Sequence, residues 1–201
     1  MSINKLADLR ALYGSAKERS VKKQLSELDQ HCKNFIAQSP FVVLSSSSAD
    51  FALDASPRGG DKGFVKVLDA HTLLIPDAIG NNRLDTLENI VATGELGLLF
   101  LVPGVDETLR INGKASLSIS ADDLSLFAAE KRPLKLVIRV SVVDAYLHCA
   151  KALMRSKLWD ATKRIDRASL PTMGKMLSDQ IGPGVAEETQ EQMLKRYATD
   201  L

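Results

Sequence analysis

Short apolar segments recur along residues 41 to 146, and turn-forming residues separate them. Segments of this length and spacing are typical of β-strands rather than helices. Residues 108 to 118 alternate most clearly, with Arg110, Asn112 and Lys114 on one face and apolar or small side chains on the other. Helical segments are inserted between the strands and do not alternate with them. This order predicts a mainly β fold with helices (α+β), a barrel rather than a doubly wound parallel sheet.

The chain divides into three predicted parts. Residues 1 to 38 are predicted to be helical, because apolar residues between positions 21 and 35 repeat at steps of three and four, and Pro40 ends that helix. Residues 39 to 159 are predicted to form the barrel. Residues 160 to 201 are predicted to form a helical tail that closes with an amphipathic helix.

Composition limits the possible partners and location. The net charge of +1 gives no reason to expect nucleic acid as a partner. The longest apolar stretch, residues 96 to 103, is too short to span a bilayer, and the first residues do not resemble a secretory signal. Two cysteines form no disulfide framework, so we expect a cytoplasmic protein. The adjacent pairs His31-Cys32 and His148-Cys149 lack the spacing of zinc ligands, so no metal is expected.

A first polar group, Ser56-Pro57-Arg58-Gly59-Gly60, comes at the end of a predicted strand. Glycines let backbone N–H groups approach an oxyanion closely, and the guanidinium of Arg58 offers a planar set of donors. The residues alone also allow a solvated turn with a surface arginine, which is the commoner case.

A second polar group, Asn81-Asn82-Arg83, lies at the start of a predicted helix. Asn82 is the expected N-cap, and Leu84, Leu87 and Val91 are expected to face the core. Free N–H groups and the positive end of the helix dipole favour a phosphate there. A capped helix whose arginine faces water remains the alternative.

A third group combines Arg110 with a predicted helix over residues 149 to 159. Lys151 and Arg155 are four residues apart and share one face of that helix. This basic face is suited to a phosphorylated ligand, although a solvated face has the same pattern.

Taken in order, these segments resemble the pyridoxamine 5′-phosphate oxidase-like FMN-binding proteins, and within them a bacterial branch of FMN-dependent enzymes. The resemblance covers residues 38 to 159, and the order of its motifs, rather than any single motif, makes it specific. The motifs are Ser56-Pro57-Arg58-Gly59, Gly63-Phe64-Val65, Ile75-Pro76-Asp77, Asn81-Asn82-Arg83-Leu84-Asp85, Leu109-Arg110-Ile111-Asn112-Gly113-Lys114-Ala115, His148-Cys149-Ala150-Lys151-Ala152 and Leu158-Trp159.

The resemblance implies a six-stranded split β-barrel and a homodimer with two FMN sites at the subunit interface. The residues it implies for FMN binding are Ser56, Arg58, Gly59, Pro76, Asn81, Asn82, Arg83, Arg110, Lys151, Arg155, Ser156 and Trp159. The last four would reach the site from the C-terminal helix of the other subunit. The residues by which true pyridoxamine phosphate oxidases hold their substrate are not evident, so that activity is not predicted.

Three functions follow as hypotheses. The first is an FMN-dependent oxidoreductase whose substrate is unknown and whose catalytic residues are not apparent. The second is a flavin carrier or sensor without turnover, or a split barrel that holds haem or a deazaflavin. The third is a small interaction protein without a cofactor.

Overall fold

A computed structural model describes residues 2–78, 80–182 and 187–198. The chain forms two compact units, Met1–Trp159 and Asp160–Leu201. Within the described ranges, no helix has both the length and the apolar character needed to cross a bilayer.

The first unit is built on one antiparallel sheet with the strand order β2-β1-β5-β6-β7-β4-β3. The strands are β1 Phe41–Ser47, β2 Leu53–Gly59, β3 Lys66–Val67, β4 Thr72–Ala78, β5 Glu95–Leu101, β6 Thr108–Ser118 and β7 Leu134–His148. The helices are α1 Leu6–Tyr13, α2 Glu18–Lys22, α3 Gln30–Gln38, α4 Asp85–Thr93, α5 Ala121–Ser125 and α6 Lys151–Ser156.

The core lies against this sheet, where alternate side chains of β1, β5 and β6 are buried, as are Leu73, Leu74 and Ile75 of β4. Leu44, Phe100, Ile111 and Ile138 have no exposed surface. The sequence prediction of an α+β split barrel is confirmed. The resemblance implied six strands, whereas the described sheet has seven, of which β3 has only two residues.

The two edges of the sheet meet because the sheet curls. Strand β2 forms one edge. At the other, β3 pairs with Leu73 and Leu74, and residues 75–78 of β4 pair with no strand on that side among the described residues. Pro76 is tolerated in this part of β4, which is unpaired on one side, because proline has no N–H to donate. The Nε atom of Arg58 on β2 lies 3.4 Å from Oδ1 of Asp77 on β4. This contact joins the two edges across the split of the barrel.

The N-terminal segment differs from its prediction. The apolar repeat predicted one helix through positions 21 to 35, but the chain forms α2 and α3 with a break between them. At the break, Leu25 exchanges two main-chain hydrogen bonds of 2.9 Å with Ala145 of β7, so it is held as a strand residue. Helix α3 ends at Gln38, as the position of Pro40 predicts.

The start of α4 also differs from its prediction. Asn82 is not the N-cap: it has a positive φ of 60°, and the N-cap position falls on Leu84, which makes no side-chain cap hydrogen bond. The preceding loop is fixed in another way, since Asn81 Oδ1 accepts a 3.0 Å hydrogen bond from the backbone N–H of Arg83. The prediction missed this local turn, in which the side chain of Asn81 bonds to the backbone and Asn82 does not cap the helix.

The buried face of α4 is more polar than predicted. Of the three residues expected in the core, only Leu87 is buried, whereas Leu84 is 45% and Val91 75% exposed. The face that packs against the sheet consists of Thr86, Leu87, Asn89 and Ile90. The polar side chains of this face have hydrogen-bond partners on β1 and β2, which allows their burial.

The second unit contains α7 Met173–Ile181 and α8 Gln190–Tyr197 in its described part. Thr189 and Gln192 form a capping box at the start of α8, the helix predicted at the end of the tail. Gly174 is buried against the backbone of Glu188, which leaves no room for a side chain. Residues 183 to 186 and 199 to 201 of the predicted tail lie outside the described residues.

Candidate functional site

A cleft of about 760 Å³ lies between the two edges of the curled sheet. This volume is in the range of small-molecule sites, roughly 300–1,000 Å³. Its walls come from β2, the end of β4, the loop before α4, the first turn of α4 and the start of β7. The lining residues are Asp54–Gly60, Phe64, Pro76–Ala78, Gly80–Leu87, Glu130, Arg132 and Leu134–Leu136.

Arg58 is held firmly in this cleft. Its Nη1 group donates hydrogen bonds to Ser56 Oγ at 2.6 Å and to the carbonyl oxygen of Pro57 at 3.0 Å. Its Nε atom faces Asp77, and its side chain is 24% exposed. Its Nη2 group has no acceptor in the described part of the chain. Arg58 therefore presents a fixed, half-buried cation with one donor group available to a ligand.

Arg83 lies in the loop before α4 and is far more exposed than Arg58. Its Nε atom donates to Asp85 Oδ2 at 2.5 Å, and the side chain of Arg83 is 79% exposed. This hydrogen bond raises the pKa of Arg83 above its usual value, so the guanidinium stays charged. The contact with Asp85 keeps the arginine at the mouth of the cleft.

The first turn of α4 supplies backbone donors. The N–H groups of Asp85, Thr86 and Leu87 have no acceptor among the residues described, because Leu84 provides no cap. By contrast, Asp29 and Ser120 cap α3 and α5 with their side chains. Three free amides at the positive end of a helix dipole are suited to an anion.

Gly60 does not have the predicted role. The N–H of Gly60 donates to the carbonyl oxygen of Pro40 at 3.1 Å, so it is not free for an oxyanion. Likewise, the N–H of Gly63 donates to Ser39 at 3.3 Å. A Cβ atom on Gly60 would lie 2.8 Å from the Cβ of Phe64. Glycine is required there for close packing, and the donors of the cleft come from the arginines and α4.

The structure brings together seven of the predicted site residues in this cleft, from segments far apart in sequence. They are Ser56, Arg58, Gly59, Pro76, Asn81, Asn82 and Arg83.

The other five predicted residues lie outside the cleft of the same chain. The Cζ atom of Arg110 is 5.2 Å from the centre of the Tyr146 ring. Lys151 and Arg155 are exposed on α6. Ser156 Oγ donates to the carbonyl oxygen of Leu153, and Trp159 Nε1 donates to that of Val105. Their predicted contribution from a second subunit stays a prediction.

Six charged cleft residues were not among the predicted site residues: Asp54, Asp77, Asp85, Glu130, Arg132 and Lys135. Lys135 lies at a bulge where the pairing of β4 with β7 shifts register. Arg132 and Lys135, on either side of Pro133, were a signal at the start of a predicted strand. Only the pairing of that strand with the end of β4, which the residues alone do not specify, places them in the cleft.

The charged side chains of the cleft balance in number. Four are acidic and four are basic: Asp54, Asp77, Asp85 and Glu130, against Arg58, Arg83, Arg132 and Lys135. Attraction for an anion therefore depends on where the donors lie rather than on net charge. Across the described ranges, no group of three His, Cys, Asp or Glu side chains is placed to hold a metal ion.

Comparison with known proteins gives one family and several similar folds. The sequence model described as pyridoxamine 5′-phosphate oxidase matches residues 28–149. HupZ from Group A Streptococcus aligns with a TM-score of 0.50 and 14% identity, over 60% of this chain and 93% of its own. A protein of Lactobacillus delbrueckii assigned as a pyridoxamine 5′-phosphate oxidase aligns with a TM-score of 0.50 and 19% identity, over 62% of this chain and 98% of its own. No curated protein matches the chain.

Proposed function

The chain belongs to the pyridoxamine 5′-phosphate oxidase family, and from this premise we propose that it is an FMN-dependent oxidoreductase that binds FMN in the cleft between the sheet edges. One observation carries the proposal: seven residues predicted from separate motifs line this single cleft. A chance resemblance would have no reason to gather them in one place.

The donors of the cleft fit the phosphate ester of FMN. The free Nη2 group of Arg58, the cation of Arg83 and the uncapped amides of α4 are the kinds of group that bind a dianion. Asn81 fixes the loop before α4, because its Oδ1 accepts a hydrogen bond from the backbone N–H of Arg83. Ser56 holds the guanidinium of Arg58 in place.

When bound, the flavin supplies the transfer of a hydride or of electrons, and the protein supplies position and electrostatics. A cation close to the flavin ring would favour its reduced, anionic form.

We propose a homodimer, in the cytoplasm, in which the second subunit completes each site. The balanced charges of the cleft support this, because cations from a second subunit would add to the donors already placed there. Helix α6 carries Lys151 and Arg155 on its exposed surface, followed by Lys157. These cations lie outside the cleft of their own chain and are available to another copy.

The experiment is to purify the protein natively, record its absorbance and identify the released ligand by mass spectrometry. Flavin bands and the mass of FMN support the proposal, whereas a Soret band indicates haem. Protein that is colourless and takes up no added FMN contradicts it. Bleaching by a nicotinamide donor with reoxidation in air supports an enzyme, and flavin that stays oxidised supports a carrier or sensor.

A further inference from the structure

Among the described residues, the guanidinium of Arg58 has three polar contacts, of which one crosses the split of the barrel. Ser56 and Pro57 are its neighbours on β2, so their contacts with Nη1 are local. Asp77, whose carboxylate is 3.4 Å from Nε, comes from the opposite edge of the sheet. The direction of the guanidinium across the cleft therefore depends on Asp77.

A carboxylate inside a phosphate site needs an explanation, because it repels the ligand. The side chain of Asp77 is 16% exposed and that of Arg58 24%, so water screens their interaction less than it screens a surface pair. Oδ1 of Asp77 lies beside Nε, a donor that Ser56 and Pro57 leave unused. Nη2 is then left as the donor group of Arg58 without an acceptor in the described ranges.

We propose that Asp77 is a positioning residue, which holds Arg58 so that its Nη2 group binds the flavin phosphate. This inference rests on the proposed FMN function and adds a role for a residue that makes no contact with the phosphate itself. Loss of Asp77 frees the guanidinium to turn toward solvent, so a ligand with a phosphate loses more affinity than one without.

The test compares the dissociation constants of FMN and riboflavin, which lacks the phosphate, in the full-length protein. Quenching of flavin fluorescence measures both. In Asp77→Asn we expect the preference for FMN over riboflavin to fall roughly tenfold, with riboflavin binding nearly unchanged. A purely structural role would weaken both ligands equally.

Asp123→Asn is the matched control, because Asp123 is a buried carboxylate paired with Arg139 at 2.9 Å and lies outside the cleft. This variant is expected to lower stability and to leave the FMN preference unchanged. Asp77→Glu keeps the negative charge for folding but moves the carboxylate, and it should show a smaller loss of the preference. In the Arg58→Ala background, Asp77→Asn should cause no further loss.

The outcomes separate the inference from the function on which it rests. An unchanged FMN preference in both Asp77→Asn and Asp77→Glu overturns the positioning role. An increased preference in both also overturns it, because the carboxylate of Asp77 would then only repel the phosphate. Wild-type protein that binds neither flavin overturns the proposed function, and the positioning role falls with it.

Discussion

The side-chain amide of Asn89 on α4 donates a 3.0 Å hydrogen bond to Ser46 Oγ on β1, and both residues are buried. One turn earlier, Thr86 Oγ1 donates to Asp54 Oδ2 on β2 at 2.5 Å. These two bonds fasten α4 to the hairpin that carries Arg58. The polar face of α4 therefore fixes the distance between the arginine and the free amides of the helix.

Replacing Asn89 with Ala removes the buried bond and leaves Ser46 without its donor. We expect Asn89→Ala to lower the free energy of unfolding by about 1–3 kcal/mol, measured by urea denaturation. Asn34→Ala is the control, because Asn34 is exposed on α3, and it should cost less than about 0.5 kcal/mol. The double variant with Ser46→Ala should be less than additive, and strict additivity would show that the two side chains are not coupled.

Arg83→Ala should weaken FMN binding by roughly 1.5–3 kcal/mol, because a charge-assisted contact with the phosphate is lost. Titration of the apoprotein with FMN measures the effect. Arg19→Ala on α2 removes another exposed arginine far from the cleft in sequence and should leave FMN affinity unchanged. If the two variants bind FMN equally well, Arg83 is not a ligand of the phosphate.

Local rules predicted the parts of the fold that depend on local interactions. The alternation of β6 gave its buried face, Pro40 gave the end of α3, and Gly94 gave the left-handed end of α4. The order of the motifs indicated seven residues that share the cleft. The three fold features follow from backbone preferences or from patterns that span a few residues, whereas the seven cleft residues were implied by the family resemblance.

Other features depend on partners that are distant in sequence. Leu25 fits a helical repeat, yet it pairs with Ala145, which is known only once the strands are arranged. Thr86 and Asn89 are polar, so periodicity places them at the surface, although partners on the hairpin allow their burial. Asp77 reaches the cleft only because the sheet curls.

The two cysteines should react differently with thiol reagents. Burial raises the pKa of the Cys32 thiol to about 11, so little thiolate forms near neutral pH, whereas Cys149 is exposed. A chromogenic disulfide reagent should label one thiol per chain quickly in native protein and the second only after denaturation. Cys149→Ser should abolish the fast phase. Retention of that phase would show that Cys32 is accessible.

The cap of α3 should make stability depend on pH. Asp29 Oδ1 accepts a 2.8 Å hydrogen bond from the N–H of Cys32, and this bond lowers the pKa of Asp29. Because the folded-state pKa lies below the unfolded value, the stabilisation is full above about pH 4 and is lost as pH falls through the lower folded value.

Asp29→Ala should therefore cost about 1 kcal/mol at neutral pH and progressively less in acid, by denaturation at each pH. Asp29→Asn is the control, because asparagine caps a helix but does not titrate. It should keep most of the stability at neutral pH and remove this part of the acid sensitivity. A cost of Asp29→Ala that does not change with pH would contradict the role of the carboxylate.

Gly113 on β6 should tolerate no side chain, whereas Gly97 on the neighbouring strand β5 should. A Cβ atom on Gly113 would overlap the carbonyl oxygen of Ser141 and lie 2.9 Å from Cγ1 of Val140, where β7 bulges toward it. Backbone atoms of a central strand cannot move aside without loss of sheet hydrogen bonds. Gly113→Ala should therefore lower the free energy of unfolding by about 1–3 kcal/mol or more.

A Cβ atom on Gly97 would instead have its nearest contact at 3.4 Å, with the side chain of Asn112. Gly97→Ala should be neutral or slightly stabilising, by about 0.4–1 kcal/mol, because alanine lowers the entropy of the unfolded chain. Both variants add the same methyl group to adjacent strands of one sheet, so unfolding in urea isolates the effect of the close approach. Equal stability of the two variants would mean that β6 and β7 do not approach each other closely at the bulge.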